Sequence, residues 1–275
     1  ITQFFGKIEH QHYLVWIGAL LSVLPCADVL SIDAWRKNGL ASWLAWPKSV
    51  RYGLPLRCVW LFLGVLYFFP GLWKFVFSGA NWFLSDNLRS RMLLRMFVSE
   101  GWDPVFPVYE FPMLCKLGGF ITILLEIGFI FLVFLPWGRY LAASGALTFH
   151  WLVKQTLNIS FWPIQICYLT FFDWHRAVCW VLKRPHPDGD PTAESSNSAS
   201  SNTRLISAVA AVVLVGNTLC GFTLLDSWPF GVFPTFARVI GPQFQSLSFV
   251  AVDGRGVEVA NVEAFFDTTL RNSYG

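Results

Sequence analysis

The chain has 275 residues, of which 55% are hydrophobic and only 13% are charged. A soluble domain carries about 25% charged residues, so this composition excludes an ordinary cytosolic globule and predicts a polytopic membrane protein. The 20 lysines and arginines barely outnumber the 17 aspartates and glutamates, so no nucleic-acid partner is indicated. The six cysteines are scattered without a C-x-x-C pair, and we expect neither a metal site nor a disulfide framework.

Six apolar stretches approach the length of about 20 residues that a helix needs to cross a bilayer core. In chain order they cover residues 13–30, 56–77, 111–136, 140–158, 161–182 and 205–225. The first and fourth could instead lie at the interface or re-enter the membrane, so we expect five or six crossings. We therefore predict an all-α transmembrane domain over residues 1–226.

Three further segments have a different composition. Residues 85–100 combine a capping residue, Ser85 or Asp86, with apolar residues at helical spacing and several arginines, which is typical of a helix in the interface plane. Residues 183–204 are rich in proline, serine and asparagine and predict a flexible linker. Residues 227–275 are expected to form a short extramembrane tail, with a strand and turn near residues 249–259.

The distribution of lysine and arginine predicts the orientation of the chain in the membrane. With six crossings, most of these residues fall in loops on one side, which is therefore placed in the cytoplasm. The 79–111 loop and the tail then lie on the extracytoplasmic side. Because the chain begins with Ile1 and not with methionine, we also expect that a segment precedes it.

Ionisable groups within apolar stretches are costly and commonly functional, and three of them stand out here. Lys74 either extends to the interface or is a desolvated amine that could act as a base, because burial disfavours its charged form. Glu126 lies mid-span and is either a catalytic group or a structural partner for a neighbouring helix, and Lys154 could pair with it. His150 is either functional or a hydrogen-bonded core histidine.

Residues 67–74 (YFFPGLWK), with Trp82 downstream, resemble a motif of the vitamin K-dependent γ-glutamyl carboxylase family. Members of that family have an aromatic-rich segment and a glycine before the catalytic lysine. Further similarities in register are Tyr13-Leu14, Leu24-Pro25, residues 31–34, residues 124–126 with Arg139, Phe149-His150 and residues 158–163. The resemblance covers about residues 9–175 and extends to the wider bacterial HTTM membrane family.

The resemblance implies a chemistry and a location. In this family a lysine deprotonates a reduced vitamin K-type quinol, which reacts with O2 to give a strong base. That base removes the γ-proton of a peptide glutamate, and CO2 adds to the carbanion. The implied catalytic residues are Lys74, Glu126 and His150, and the implied cofactor-binding residues are Tyr67, Trp73 and Trp82. The implied location is a bacterial inner membrane.

The chain departs from the family pattern at several positions. Gln11 stands where the family has a histidine before the Tyr-Leu pair, and His12 beside it is the alternative candidate for that catalytic role. The acidic residue is Glu126 and not aspartate, and Trp82 is farther from Lys74 than the pattern requires. The tail is much shorter than the lumenal domain of animal carboxylases, so a clotting-factor-type propeptide is not an expected partner.

Three functions are compatible with these features. The first is a carboxylase-like, quinol-using membrane enzyme with a peptide substrate. The second is a non-catalytic membrane subunit of a larger complex that retains the HTTM scaffold, and the third is a DoxX-like subunit of a quinone-linked oxidoreductase. An enzyme should bring Lys74, Glu126 and His150 to one cavity, whereas a structural subunit should direct Lys74 to the membrane interface.

Overall fold

A computed structural model describes residues 12–22, 32, 36, 50–99, 101–181, 183, 201–224, 230 and 236–239. The regular structure of these residues is helical, which confirms the predicted all-α class. The helices are α1 (His12–Ser22), α2 (Val50–Ser78), α3 (Asn81–Leu84), α4 (Asn87–Val98), α5 (Pro112–Leu132), α6 (Gly138–Leu157), α7 (Trp162–Cys167), α8 (Trp174–Val181) and α9 (Ser201–Thr223). Two 3-10 helices cover Val108–Glu110 and Tyr168–Phe171.

Two of the described helices are long and apolar enough to cross a membrane, namely Gly53–Ser78 within α2 and the whole of α5. At 1.5 Å per residue they extend about 39 Å and about 32 Å, and a bilayer core is about 30 Å thick. The apolar parts of α1 and α9, Tyr13–Ser22 and Ser207–Thr223, are shorter. Two of the predicted five or six crossings are therefore supported by helices of sufficient length. The remaining crossings stay a prediction.

The fifth apolar stretch does not form the single span that its hydropathy predicts. Helix α7 ends at Cys167, a 3-10 turn follows, and α8 begins only at Trp174. Asp173 caps the new helix, because its carboxylate accepts a hydrogen bond of 3.0 Å from the backbone N–H of Arg176. Tyr168 and Phe171 in the turn are fully buried, so their packing stabilises the break. The expected continuous helix over residues 161–182 is wrong.

The segments outside the apolar stretches agree only in part with the sequence analysis. Helix α4 confirms a helix within residues 85–100, and the Ser85 hydroxyl, not the Asp86 carboxylate, accepts a hydrogen bond from the N–H of Asn87. Helix α9 already begins at Ser201, inside the predicted linker. The rest of that linker and the predicted strand near residues 249–259 lie outside the described residues.

The α2–α5 contact positions the candidate site. A Cβ atom built on Gly71 of α2 would lie 2.8 Å from the Cβ atom of Glu126, and one on Gly64 would lie 3.0 Å from Cγ1 of Ile130. These two glycines are seven residues apart and therefore lie on the same face of α2, where small residues let two helices approach closely. The contact brings Lys74, one turn after Gly71, beside Glu126.

The two faces of α5 differ in what they contact. Its buried residues Cys115, Gly119, Ile123, Glu126 and Phe129 recur at helical spacing on one face. On the remaining surface large apolar side chains are exposed, among them Met113, Leu117, Phe120, Leu124 and Phe131. A soluble protein rarely exposes so continuous an apolar surface, and contact with lipid hydrocarbon would cover it. This surface is the structural reason for associating the helices with a membrane.

The glycine contact gives a stability prediction. Gly71→Ala is expected to destabilise the protein by about 1–3 kcal/mol, because the added methyl group overpacks the contact with Glu126. Gly128→Ala in α5 is the matched control: its Cβ atom would meet no atom within 4 Å, so it is expected to be neutral or to stabilise by up to about 1 kcal/mol. Thermal unfolding in detergent measures the stability of both variants. Equal stability of Gly71→Ala and Gly128→Ala would contradict the prediction.

Candidate functional site

Lys74 and Glu126 form a buried ion pair between α2 and α5. The Nζ atom of Lys74 donates a hydrogen bond to Oε1 of Glu126, and both side chains are almost completely buried. Nζ also lies 5.2 Å from the ring centroid of Trp82, which is within the range of a cation–π contact. Lys74 thus does not extend to the interface, and its charge is compensated inside the helix bundle.

His150 is held by two tyrosine hydroxyl groups. Its Nε2 atom lies 2.6 Å from the hydroxyl oxygen of Tyr67 and 3.0 Å from that of Tyr168, and the two hydroxyl groups are also hydrogen-bonded to each other. The three residues come from α2, α6 and the 3-10 turn after α7 and are all buried. The Tyr67 ring stacks on Phe129 of α5 with centroids 4.5 Å apart, which fixes the hydroxyl position.

Lys74, Glu126 and His150 line one cavity of about 150 Å³. Tyr13, Tyr67 and Trp82 also line it, so two of the three predicted cofactor-binding residues lie at its wall. Most of the remaining wall is apolar and includes Leu66, Leu88, Phe149, Val153, Leu157 and Ile164. Three ionisable groups predicted separately from the sequence therefore meet around a single apolar space.

Two buried polar atoms of the residues that line the cavity have no hydrogen-bond partner among the described residues. They are Oε2 of Glu126 and Nδ1 of His150. A buried polar atom without a partner costs about 1–3 kcal/mol, so such atoms are rare and commonly belong to sites that bind a ligand or water. A ligand with an aromatic ring and polar oxygens fits this combination of an apolar wall and two unsatisfied atoms.

Arg91 adds a second cation at the cavity wall. Its Nη2 atom donates hydrogen bonds to the backbone carbonyl oxygens of Phe236 (3.3 Å) and Arg238, and its Nε atom donates to Oδ1 of Asn87 (3.2 Å). Burial lowers the pKa of Arg91 to about 10, so the guanidinium stays charged at neutral pH. No acidic side chain pairs with Arg91 among the described residues.

The described tail residues close part of the cavity. Phe236 lines it, and its carbonyl oxygen also accepts a hydrogen bond of 2.8 Å from Nε1 of Trp82. The hydroxyl of Ser78 donates to the carbonyl oxygen of Ala237 at 3.1 Å. Residues 236–239 therefore lie against the segment that follows α2, next to α4. Their extracytoplasmic location stays a prediction.

Several predicted site residues lie elsewhere. Trp73 does not line the cavity: its Nε1 atom donates to the carbonyl oxygen of Gly221 in α9 at 2.8 Å, and its ring stacks on Phe77. Lys154 does not pair with Glu126 but donates to Oδ1 of Asn158 at 2.7 Å, so that alternative is wrong. Gln11 and the side chain of His12 lie outside the described residues.

Sequence reasoning missed Tyr168, Arg91 and Phe236. Tyr168 lies in an apolar stretch but carries no charge, so the search for costly ionisable groups passed over it. Arg91 is one of the arginines of the predicted interfacial helix, and nothing near it in the sequence indicates burial. The contact that buries it comes from Phe236, 145 positions away in the chain.

Together these features define an all-α protein with two helices that are long and apolar enough to cross a membrane and a buried lysine–glutamate pair at an apolar cavity. Searches against models of protein families, curated proteins and solved structures found no match for the chain. The carboxylase resemblance therefore depends only on the sequence motifs within residues 9–175.

Proposed function

We propose that this protein is an integral membrane enzyme that uses Lys74 to deprotonate a lipid-soluble quinol and couples the reaction to carboxylation of a peptide glutamate. The observation that carries the proposal is the meeting of Lys74, Glu126 and His150, from three different helices, around one apolar cavity. The residue motifs that resemble the vitamin K-dependent carboxylases supply the class of reaction.

The membrane location belongs to the same proposal. Helices α2 and α5 have the length and composition of spans, and the exposed apolar face of α5 would contact lipid. We place five or six crossings in a bacterial inner membrane, with the tail on the extracytoplasmic side. A site inside the bilayer suits a quinol because the substrate dissolves in lipid and the reaction needs protection from water.

The cavity has the properties that a quinol ring requires. An apolar cavity of about 150 Å³ accommodates an aromatic ring, and the rings of Tyr67, Trp82 and Phe149 provide apolar contact surface. When bound, the quinol would supply an acidic hydroxyl group and the reducing electrons for the reaction with O2. The unpaired Oε2 atom of Glu126 can accept a hydrogen bond from such a hydroxyl group.

The direct contact between Lys74 and Glu126 gives each residue a role. Transfer of one proton from Nζ of Lys74 to Oε1 of Glu126 produces a neutral amine and a neutral acid, and low-dielectric surroundings favour neutral groups. The neutral amine can then accept a proton from the substrate. Glu126 thus holds the proton that Lys74 must lose before it acts as a base. When the amine has accepted the substrate proton, the Trp82 ring stabilises the resulting Lys74 ammonium group.

One observation favours a second function. The ion pair neutralises both charges within the bundle, and a buried pair of this kind can fix the register of two helices without any chemistry. The protein would then be a non-catalytic membrane subunit that retains the same scaffold. The two functions differ in whether the cavity binds and consumes a quinol.

The proposal is tested with purified protein in lipid nanodiscs, supplied with reduced vitamin K, O2, labelled CO2 and a glutamate-containing peptide. We expect loss of the quinol, formation of its epoxide and label in the peptide, measured by mass spectrometry. Epoxide without labelled peptide would support the quinol reaction and contradict its coupling to carboxylation of that peptide. A folded protein that leaves the quinol unchanged would contradict the proposal and favour the structural subunit.

A further inference from the structure

We propose that Arg91 binds the side-chain carboxylate of the peptide glutamate, at the part of the cavity wall formed by α4 and Phe236. The choice of a peptide glutamate rests on the proposed function. A carboxylate site at this wall does not, because it follows from the charge and the hydrogen bonds of Arg91. Arg91 is thereby the residue that distinguishes glutamate from glutamine.

Arg91 has hydrogen-bond donors that the described part of the protein does not use. A guanidinium group carries five N–H groups, of which Nε has one and each Nη atom has two. Nε donates to the side chain of Asn87, and Nη2 donates to the carbonyl oxygens of Phe236 and Arg238. Both N–H groups of Nη1 are left without a partner among the described residues, although Arg91 lines the cavity. A ligand in the cavity can accept hydrogen bonds from them.

The positive charge of Arg91 is buried without a negative charge beside it in the described part of the chain. Only 7% of the residue is exposed, and the acceptors of its hydrogen bonds are a side-chain amide and two backbone carbonyl groups, all of which are neutral. A buried charge without an opposite charge is costly, because neutral acceptors replace only part of its hydration. An anionic ligand group at Nη1 would supply the missing counter-charge.

The net charge of the cavity wall favours a ligand group with a single negative charge. Lys74 and Glu126 neutralise each other, and a proton transfer within that pair does not change its total charge. Arg91 is the remaining charged residue among those described at the wall, so with a neutral His150 the wall is positive by one charge. One carboxylate balances this charge, and a planar carboxylate also suits the N–H groups of a guanidinium.

Trp82 relates the proposed carboxylate site to the proposed base. Its ring centroid lies 5.2 Å from Nζ of Lys74, and its Nε1 atom donates to the carbonyl oxygen of Phe236 at 2.8 Å. The same oxygen accepts the hydrogen bond of 3.3 Å from Nη2 of Arg91. Lys74 and Arg91 are thus both neighbours of one indole ring. A glutamate side chain bound at Arg91 would therefore hold its γ-carbon close to the quinol that Lys74 deprotonates.

The site is tested by the binding of two blocked tripeptides, Leu-Glu-Leu and Leu-Gln-Leu, to the protein in nanodiscs without quinol, measured by calorimetry. We expect the wild type to bind the glutamate peptide at least about tenfold more tightly, because hydrogen bonds between charged groups are stronger than neutral ones. In Arg91→Gln the amide can still donate to the tail carbonyl groups but carries no charge, so the ratio of the two affinities should fall to about one. Arg91→Lys keeps the charge and should still prefer the glutamate peptide.

Arg89→Gln is the matched control. Arg89 lies on the same helix, donates to the carbonyl oxygen of Tyr109 at 2.9 Å and is not among the described residues that line the cavity, so the affinity ratio should stay as in the wild type. If Arg91 only held the tail in place, Arg91→Gln would weaken both peptides equally, and the unchanged ratio would overturn the proposal. Binding of decanoate that depends on Arg91, without binding of either peptide, would also overturn it in favour of a fatty acid.

Quinol consumption by the same samples separates this site from the proposed function. If the wild type leaves the quinol unchanged but prefers the glutamate peptide through Arg91, the proposed function is contradicted and the carboxylate site stands. If the wild type consumes the quinol but Arg91→Gln keeps the wild-type affinity ratio, only the role of Arg91 is contradicted. Circular dichroism of each variant verifies that the helices are retained.

Discussion

Lys74→Arg is expected to abolish quinol consumption while the protein still inserts and folds. Arginine keeps the positive charge, and its guanidinium can hold a carboxylate such as Glu126 at least as well as an ammonium does. It stays protonated in proteins, however, so it cannot accept a proton from a substrate. Because a positioned base contributes about 10²–10⁴-fold, we expect the rate of quinol loss to fall at least about 100-fold.

The matched control is Lys154→Arg. Lys154 lies on α6 outside the cavity, is exposed and, within the described part of the chain, bonds to Asn158, so the same chemical change there should leave the rate unchanged. Both variants are compared with the wild type at equal protein concentration, and thermal unfolding verifies that each is folded. Equal, non-zero rates for wild type and Lys74→Arg would remove Lys74 from the mechanism. A wild type without activity would favour the structural subunit.

The three ionisable residues of the site could be found from the sequence, but their pairing could not. Charges within apolar stretches are costly, which singles out Lys74, Glu126 and His150. The sequence suggested Lys154 as a possible partner of Glu126, whereas the structure pairs Glu126 with Lys74. The choice depends on the register of α2 against α5, which the close contact at Gly71 sets. Register describes how two packed helices are aligned, so it cannot be predicted from the sequence pattern of either helix alone.

The errors have related causes. Hydropathy averaged over residues 161–182 suggested one span, because averaging cannot detect the buried turn at Tyr168 and the cap at Asp173. Trp73 follows the cavity-lining residues in sequence, but helix rotation turns it toward α9. Arg91 is buried by Phe236, a contact between distant parts of the chain. Local patterns thus predicted most helices, whereas long-range contacts decided which side chains reach the cavity.

Removing one member of the Lys74–Glu126 pair is expected to destabilise the protein more than removing both. Glu126→Leu leaves the Lys74 ammonium buried without a counter-charge, and loss of one partner of a buried pair costs about 3–5 kcal/mol. Lys74→Met is expected to cost a similar amount, because the carboxyl group left behind must likewise either stay charged without a partner or bind a proton to become neutral. The double variant Lys74→Met/Glu126→Leu replaces both charges with apolar groups of similar size and is expected to be nearly neutral or stabilising.

The free energy of unfolding of the four proteins, measured in mixed micelles, gives the coupling between the two residues. A Glu126→Leu variant within about 0.5 kcal/mol of the wild type would contradict a buried ion pair, since a change of that size is typical of surface positions. The double variant also separates the two proposed functions, because it should be stable under either one. If the pair has only a structural role, the wild type consumes no quinol either, and the double variant does not differ from it in the quinol assay. If the pair exchanges protons with a substrate, the same stable variant binds quinone but no longer consumes quinol.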